Sequence, residues 1–255
     1  MNPVLFKFLN LEIRWYSVLV LVAFVIGFFL VVYRSRKRGI SPALIYDMSF
    51  YLVIFCILGA RLYYCLFNLD YYKENLIEVL KIWQGGLAIH GGIIAGIIFL
   101  LIYTKKHDIE FLSLTDLIAP SLVLGQAIGR WGNFFNQEAY GSATTIFELK
   151  RLHVPNFVID GMYINGTYHH PTFLYESVAC LIIFIILMIV SIKSKRGQLT
   201  GVYFILYGIV RYFIESLRTD SLMFGNFKVA QIISILMIII GMALLIIPMF
   251  RRKHD

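Results

Sequence analysis

Long apolar runs alternate with short polar segments along the whole chain. A helix needs about 20 predominantly apolar residues to cross the hydrocarbon core of a bilayer. Runs of roughly that length lie at about 15–33, 45–67, 84–104, 112–131, 172–191, 199–217 and 229–250. The pattern predicts an all-α polytopic membrane protein, with about seven transmembrane helices in a single integral membrane domain over residues 1–255.

The composition supports this fold class. Of the 255 residues, 59% are hydrophobic and 15% are charged, whereas a soluble domain carries about 25% charged residues. The excess apolar surface therefore faces lipid. The formal net charge of +8 does not indicate a nucleic-acid partner, because the basic residues cluster between the apolar runs, as they do where charge sets membrane topology.

The basic clusters also predict the orientation. They follow every second run and comprise Arg34, Arg36, Lys37 and Arg38; Lys105 and Lys106; Lys193, Lys195 and Arg196; and Arg251, Arg252 and Lys253. The intervening loops carry charges of both signs. Because cytoplasmic loops are enriched in Lys and Arg, we expect the N-terminus outside and the C-terminus in the cytoplasm.

The longest connection, over residues 132–170, falls on the outer side. It is rich in Gly, Asn, Thr and Pro, and connections of this length are usually functional or partly folded. We expect a small extracytoplasmic head between the fourth and fifth spans, with short strands around Phe157–Tyr168.

Several catalytic motifs are missing from the sequence. Cys56, Cys65 and Cys180 lie in or beside apolar runs and show no metal-ligand spacing. Neither a phosphate-binding GxxxxGK[ST] loop, nor HExxH, nor a GxSxG nucleophile elbow is present. We expect no cofactor and no metal, and the nucleophile of any reaction has to come from a substrate.

The most informative stretch, Gly129–Gly141, carries Arg130, Asn133, Asn136 and Glu138 next to a membrane-length run. Ionisable groups are costly in hydrocarbon and are functional candidates by default. Alone, Arg130 is equally consistent with a plain interfacial arginine. Together with two asparagines, whose amides donate to and accept from hydroxyls, it indicates a site for a polyol or phosphate head group.

The sixth run carries Tyr207, Arg211, Glu215 and Arg218 at spacings of i, i+4, i+8 and i+11. This spacing places them on one helix face. One interpretation is a rim of snorkelling side chains with a surface ion pair. The other is a phosphate clamp oriented by the glutamate, since the planar guanidinium donates two parallel hydrogen bonds.

His90 stands between two glycine pairs in Gly85–Gly92. It is either a packed core histidine at a helix crossing or a proton acceptor, for which histidine is well suited near neutral pH. Tyr16 and Arg61 are further candidates for substrate binding. The alternatives are an aromatic-belt position for Tyr16 and a structural ion pair of Arg61 with Asp116 or Glu176.

Asp116 itself has the position of an N-cap or helix-start acid. With the N-terminus outside, every other candidate falls in the outer half of the membrane or just beyond it. We therefore expect one polar cavity to hold these side chains together.

These residues lie in motifs that resemble those of the bacterial phosphatidylglycerol–prolipoprotein diacylglyceryl transferases. The resemblance covers nearly the whole chain, and the Gly129–Gly141 stretch is its most specific part. The remaining matching segments are 13–16, 59–63, 85–92, 170–176 and 207–218. The family pattern has a glutamine where this chain has Phe173.

The resemblance implies a membrane-spanning fold, a cellular location and a reaction. The chain would span the bacterial cytoplasmic membrane and transfer the diacylglyceryl group of phosphatidylglycerol to the lipobox cysteine thiol of preprolipoproteins. A thioether forms and glycerol 1-phosphate leaves. The residues implied as functional are Tyr16, His90, Arg130, Asn133, Glu138, Tyr207, Arg211 and Glu215.

The site residues alone leave other functions open. They fit another outer-leaflet phospholipid head-group transferase equally well. A non-catalytic lipid transporter or scaffold is a second alternative, although the chain shows no internal repeat of the kind that many transporters contain.

Overall fold

The computed structural model describes residues 1–8 and 11–251, so Arg252 and Lys253 of the last basic cluster lie outside the described residues. The helices, in chain order, are α1 (Trp15–Lys37), α2 (Pro42–Leu66), α3 (Leu69–Glu74), α4 (Ile89–Lys106), α5 (Phe111–Asn136), α6 (Ile146–Arg151), α7 (Asn156–Gly161), α8 (Thr172–Val190), α9 (Gln198–Leu217) and α10 (Val229–Arg251). Each predicted run contains one of these helices, although α4 begins at Ile89 and leaves residues 85–88 of the third run outside it.

Short strands connect some of these helices. Strands β1 (Val4–Phe8) and β2 (Leu11–Arg14) form an antiparallel pair before α1. Strands β3 (Ala143–Thr144), β4 (Tyr163–Ile164) and β5 (Thr167–His169) form an antiparallel sheet in the order β3-β5-β4. Strands β6 (Met223–Phe224) and β7 (Phe227–Lys228) form a hairpin between α9 and α10.

Within the described residues, six helices are long and apolar enough to cross a membrane: α1, α2, α4, α5, α8 and α10. This confirms the all-α polytopic fold class. Helix α9 is not among the six, because Arg211 and Glu215 lower its apolar character. Seven spans, with α9 as the sixth in chain order, therefore remain a prediction.

The chain forms two compact units, residues 31–114 and residues 1–30 together with 115–255. In the first unit α2 packs against α4 at a glycine crossing. A Cβ atom added to Gly91 would lie 2.4 Å from the carbonyl oxygen of Gly59. The glycines beside His90 therefore permit the close helix approach that such residues favour in membranes.

In the second unit α5, α8 and α9 share an apolar core formed by Ala119, Val123, Ala127, Cys180, Ile183, Leu187, Leu199, Tyr203 and Tyr207. Helices α9 and α10 approach closely through small residues. A Cβ atom on Gly241 would lie 2.7 Å from the Gly201 oxygen, and one on Gly208 would lie 2.8 Å from the Ser234 oxygen.

A small folded insertion, residues 137–171, separates α5 from α8. Its apolar core contains Leu149, Val154, Val158, Ile159, Met162 and Ile164 and is closed by Phe134 of α5 and Phe173 of α8. The insertion starts later than the predicted Gly132, because α5 continues to Asn136. Strands β4 and β5 lie in the second half of the predicted segment, whereas Phe157, at its start, is in α7 rather than in a strand.

The N-terminus of α9 is capped from another helix. The carboxylate of Asp116, on α5, is fully buried and accepts hydrogen bonds from the backbone N–H groups of Gly197 (2.7 Å) and Thr200 (2.8 Å). The Thr200 hydroxyl donates a third bond at 2.7 Å. Asp116 therefore lies within α5 rather than at its start, and its side chain caps the N-terminus of α9, whose N-cap residue is Gly197.

Candidate active site

A buried carboxylate on α8 joins side chains from two other helices. Glu176 is 1% exposed. Its Oε1 atom lies 2.7 Å from Nη2 of Arg130 on α5, and its Oε2 atom lies 3.1 Å from Nη1 of Arg211 on α9. The Tyr207 hydroxyl, one helical turn before Arg211, donates to Oε1 at 3.0 Å. The arginines predicted from separate segments thus meet at one point.

Some N–H donors of both guanidinium groups have no acceptor within this cluster. The side chains of Arg130 and Arg211 are 23% and 16% exposed, so neither is fully enclosed. Within the described part of the chain, Nε and Nη1 of Arg130 and Nε of Arg211 have no hydrogen-bond acceptor. Glu176 therefore holds the two cations in place while donors on both remain available to an anion.

The predicted shared face of α9 is confirmed for Tyr207, Arg211 and Glu215, and it is turned inward. Arg218 is not on this face, because α9 ends at Leu217 and Arg218 has extended backbone. Glu215 is 2% exposed, and its Oε2 atom lies 2.6 Å from Nη2 of Arg211 in an ion pair that lacks hydrogen-bond alignment. Tyr207 is also buried. A snorkelling rim would leave these groups at the surface, so the geometry favours an internal polar cluster.

Arg218 is paired with a carboxylate outside the Glu176 cluster. Its Nε and Nη2 atoms donate to the two carboxylate oxygens of Asp220 at 3.0 Å each. Burial alone would raise the pKa of Asp220, but the hydrogen bonds and charge of Arg218 hold that pKa below its ordinary value. Asp220 is therefore ionised at neutral pH and competes with any anionic ligand for Arg218.

The end of α5 gathers the amides predicted from the Gly129–Gly141 stretch. One oxygen of Glu138, Oε1, accepts hydrogen bonds from Nδ2 of Asn133 (3.0 Å) and from Nδ2 of Asn136 (3.2 Å). The residues on either side of Glu138, Gln137 and Ala139, have φ angles of +51° and +56°. Left-handed backbone at residues other than glycine is strained and concentrates at functional sites.

Tyr16 lies against this end of α5. A Cβ atom on Gly132 would lie 2.4 Å from Cδ2 of the Tyr16 ring, and the neighbouring Trp15 stacks on Phe135 with centroids 4.7 Å apart. Tyr16 as a residue is 41% exposed. It is therefore packed against the signature stretch on one side and open on the other.

The segment after Glu138 joins the ends of three helices. The Thr172 hydroxyl, at the start of α8, donates to the Ala139 carbonyl at 2.5 Å, and the backbone N–H of Ser142 donates to the carbonyl of Leu217 at the end of α9 at 3.1 Å. The end of α5, the start of α8 and the end of α9 are consequently held together beside the polar cluster.

Arg61 belongs to the other unit and has a structural environment there. It is buried, and it donates to the backbone carbonyls of Glu78, Val79 (2.9 Å), Gly85 (2.8 Å) and Gly86 (3.0 Å). These bonds organise the connection between α2 and α4. They account for Arg61 without a substrate, and its predicted part in substrate binding stays a prediction.

His90 also lies in that unit, in the first turn of α4. Although Gly91 packs at the helix crossing, His90 is exposed, and its ring centroid lies 6.2 Å from that of Tyr63. Neither ring nitrogen has a hydrogen-bond partner among the described residues. The alternative of a packed, hydrogen-bonded core histidine does not describe this side chain.

Two residues of the second unit matter more than the sequence indicated. The sequence indicated Glu176 only as one alternative partner for Arg61, yet Glu176 is the centre of the cluster. Phe173, where the resembled family has glutamine, is buried and stacks on Phe134 with centroids 4.7 Å apart. It belongs to the core beneath the insertion.

Over the described residues, no group of three or more His, Cys, Asp or Glu side chains is placed to hold a metal ion. Cys56, Cys65 and Cys180 are free thiols, half-buried in the first case and buried in the others. Burial within a packed helix core is the expected setting for a structural cysteine.

Comparison with known proteins shows the family of this chain. The family model described as "Prolipoprotein diacylglyceryl transferase" matches residues 3–247. The phosphatidylglycerol–prolipoprotein diacylglyceryl transferase of Listeria monocytogenes serotype 4a is 43% identical over 96% of this chain and 89% of its own length. Its namesake from Staphylococcus aureus strain Newman is 44% identical over 96% of this chain and 88% of its own length. The chain therefore belongs to the prolipoprotein diacylglyceryl transferase family.

Proposed function

We propose that this protein transfers the diacylglyceryl group of phosphatidylglycerol to the thiol of the lipobox cysteine of preprolipoproteins. The products are a thioether-linked lipid and glycerol 1-phosphate. The names of the relatives support the substrates and the reaction. The observation that carries the proposal is the meeting of Arg130 and Arg211 at Glu176, with guanidinium donors left over.

The arginine pair suits the charge changes of this reaction. The phosphodiester of phosphatidylglycerol carries one negative charge, and the departing phosphate monoester gains more as the carbon–oxygen bond breaks. Donors fixed in advance on Arg130 and Arg211 bind the phosphate more strongly as that charge grows, which lowers the barrier. Glu176 keeps both guanidinium groups oriented, so less reorganisation is needed during the reaction.

The substrate thiol supplies the nucleophile. Its sulfur attacks the glycerol carbon that bears the phosphate, the new carbon–sulfur bond replaces the carbon–oxygen bond, and the thiol proton passes to a base. A free thiol has a pKa near 8.5, so forming the thiolate at neutral pH costs about 2 kcal/mol. We propose that His90 accepts the proton, with Glu138 and Glu215 as the rival candidates.

The contacts of these candidates favour His90. Glu215 is buried beside Arg211, and Glu138 already accepts two amide hydrogen bonds through Oε1. His90, by contrast, is exposed, and within the described structure its ring nitrogens are uncommitted. Unlike Oε1 of Glu138 and Oε2 of Glu215, neither ring nitrogen of His90 is held by another side chain in the described structure.

The glycerol head group would bind at the end of α5. Asn133 and Asn136 present amides there, and the buried Oδ1 atom of Asn136 has no hydrogen-bond donor among the described residues. An unsatisfied buried acceptor is costly, and a glycerol hydroxyl would satisfy it. Tyr16, Tyr207 and Arg218 would line the same site, while Arg61 would act through the connection that it organises.

We place the reaction at the outer leaflet of the bacterial cytoplasmic membrane. The alternation of basic clusters supports an outside N-terminus, a cytoplasmic C-terminus and an extracytoplasmic insertion. In this orientation the ends of α5, α8 and α9 that surround the polar cluster face the leaflet from which phosphatidylglycerol would enter.

A reconstituted assay tests the proposal. Purified protein in phosphatidylglycerol vesicles is incubated with a lipobox peptide, and the peptide is analysed by mass spectrometry. We expect a diacylglyceryl thioether on cysteine, with stoichiometric release of glycerol 1-phosphate. Turnover of the lipid without peptide modification would instead indicate another head-group transferase, and no turnover of either substrate would indicate a transporter or scaffold.

Variants test the observation on which the proposal rests. Arg130→Ala and Arg211→Ala should each lower the transfer rate by about 10²-fold or more, since removing one preorganised donor typically costs about 10²–10³ in rate. Arg151→Ala, on the exposed surface of the insertion, is the matched control and should leave the rate unchanged. Full activity in both cluster variants would rule out the phosphate clamp.

A further inference from the structure

Helix α9 carries Tyr207, Arg211 and Glu215, and each of its ends is held by a charged side chain from another element. At its N-terminus Asp116 of α5 accepts hydrogen bonds from the backbone N–H groups of Gly197 and Thr200. At its C-terminus the Lys228 ammonium, at the end of β7, donates to backbone carbonyls of the last turn.

The contacts of Lys228 are specific to this helix end. Its Nζ atom donates to the carbonyl oxygens of Glu215 at 2.7 Å and Arg218 at 2.9 Å, with that of Ser216 at 3.5 Å. The last carbonyls of a helix lack partners within the helix. Lys228 therefore satisfies groups that sit directly beside the arginines of the cluster.

Both charges have the sign that stabilises a helix. The N-terminus of a helix carries a partial positive charge and the C-terminus a partial negative charge, so a carboxylate favours the first and an ammonium the second. Asp116 and Lys228 supply this arrangement from outside α9. Because their own positions are set by α5 and by the β6–β7 hairpin, they fix α9 relative to its neighbours.

The way α9 packs against α10 explains why its position along the helix axis needs contacts at its ends. Its contact with α10 runs through Gly201 and Gly208, which have no side chains to interlock. A slip of one residue would move Arg211 by about 1.5 Å along the axis and rotate it by roughly a quarter of a turn. The separation of 3.1 Å between Arg211 Nη1 and Glu176 Oε2 would not survive that change.

We propose that Lys228 and Asp116 are positioning residues for the transfer reaction. They hold α9 in the register in which Tyr207 and Arg211 reach Glu176, and neither touches the substrate itself. This inference rests on the proposed function for its kinetic test, but its structural test is independent of activity.

The kinetic test compares three lysine variants. Lys228→Met keeps an unbranched side chain of similar bulk and removes the ammonium. It should lower kcat/KM by about tenfold or more, because small misplacements of a catalytic group are costly. Lys228→Arg, which retains the charge and the donors, should restore most of the activity. Lys150→Met, at an exposed lysine of α6, is the matched control and should behave as the wild type.

A double-mutant cycle separates positioning from a general loss of stability. If Lys228 acts through Arg211, Lys228→Met should cost much less in an Arg211→Lys background than in the wild type, since the contact it protects is already lost. Independent, multiplicative losses would overturn the proposal. Asp116→Asn, which keeps one acceptor oxygen, should show a smaller loss with the same coupling.

The structural test uses Cys180, which is 0% exposed and packs in the same core as Tyr203 and Tyr207 of α9. A displaced α9 should uncover this thiol. We expect a small membrane-permeant alkylating reagent to label Cys180 several times faster in folded Lys228→Met than in wild type, Lys228→Arg or Lys150→Met, as measured by mass spectrometry.

Failure of the proposed function and failure of the positioning role would give different results. Wild-type protein that transfers no lipid would overturn the proposed function, and the labelling of Cys180 would still report on the position of α9. Active wild-type protein with unchanged kcat/KM and unchanged Cys180 protection in Lys228→Met would overturn the positioning role while leaving the proposed function intact.

Discussion

The guanidinium group of Arg130 and the carboxylate of Glu176 lie 2.7 Å apart, and this contact joins the signature stretch on α5 to the start of α8. Glu176 binds Arg211 through its other oxygen, so one carboxylate sets the geometry of both candidate phosphate ligands. The arrangement makes Glu176 as important to the proposed clamp as the arginines are.

Replacing Glu176 with glutamine should weaken both stability and transfer. Removing one partner from a buried ion pair typically costs about 3–5 kcal/mol, because it leaves uncompensated charge. Glutamine retains one acceptor, so we expect a loss toward the lower end of that range and a reduced kcat/KM. Thermal unfolding of the solubilised protein and the peptide assay measure the two effects.

The control for this change is Glu148→Gln, which removes a more exposed ion pair with Arg151 in the insertion. Surface pairs contribute about 0–1 kcal/mol, so both measurements should stay close to wild type. Equal behaviour of the Glu148 and Glu176 variants would contradict the central place of Glu176.

Arg211→Lys should be a poor substitute although it keeps the charge. Arg211 contacts Glu176 and Glu215 through different nitrogens, at 3.1 Å and 2.6 Å. A lysine ammonium is a single compact group and cannot reproduce this planar fork. We expect at least a tenfold fall in kcat/KM, whereas Arg151→Lys on the insertion should be neutral. Wild-type rates in Arg211→Lys would show that charge alone is sufficient.

Two glycines of α5, one helical turn apart, provide a test position and its matched control. A Cβ atom on Gly132 would lie 2.4 Å from the Tyr16 ring, whereas one on Gly129 meets open space. Gly132→Ala should therefore displace Tyr16 and lower the transfer rate. Gly129→Ala should stabilise α5 by about 0.5–1 kcal/mol, since alanine restricts the unfolded chain more than glycine does.

Rates and melting temperatures of the two alanine variants, measured side by side, check this prediction. If both variants keep the wild-type rate, the contact between Tyr16 and the signature stretch has no part in the reaction.

The role of His90 can be separated from the packing of its neighbours. His90→Asn should lower the rate and abolish the acidic limb of the pH–rate profile, because the proton acceptor is gone. His153→Asn is a suitable control, since His153 is exposed and its φ of +55° is one that asparagine also adopts. A pH profile of His90→Asn that overlays the wild type would leave Glu138 or Glu215 as the base.

The local spacing of apolar and polar residues was sufficient to predict much of the fold. The apolar runs predicted each long helix, and the spacing of Tyr207, Arg211 and Glu215 predicted their common face, because both features repeat with the period of a helix. A helix crossing at the glycines beside His90 was one of two alternatives for that segment, and the contact of Gly91 with Gly59 shows the crossing although His90 itself is exposed.

Partners far apart in the sequence could not be predicted in the same way. No local signal pairs Glu176 with Arg130, or indicates that Asp116 caps α9 rather than α5, because these contacts depend on how whole helices pack. The end of α5 was placed too early for a related reason. Its last turn is polar, and tertiary contacts such as that of Trp15 with Phe135 stabilise it as helix.

An experimental structure with phosphatidylglycerol bound would test the central claim most directly. The account predicts phosphate oxygens within hydrogen-bonding distance, about 3 Å, of guanidinium nitrogens of both Arg130 and Arg211, with Glu176 still bridging the pair. A phosphate bound elsewhere, with both guanidinium groups in contact only with Glu176 and Glu215, would contradict it.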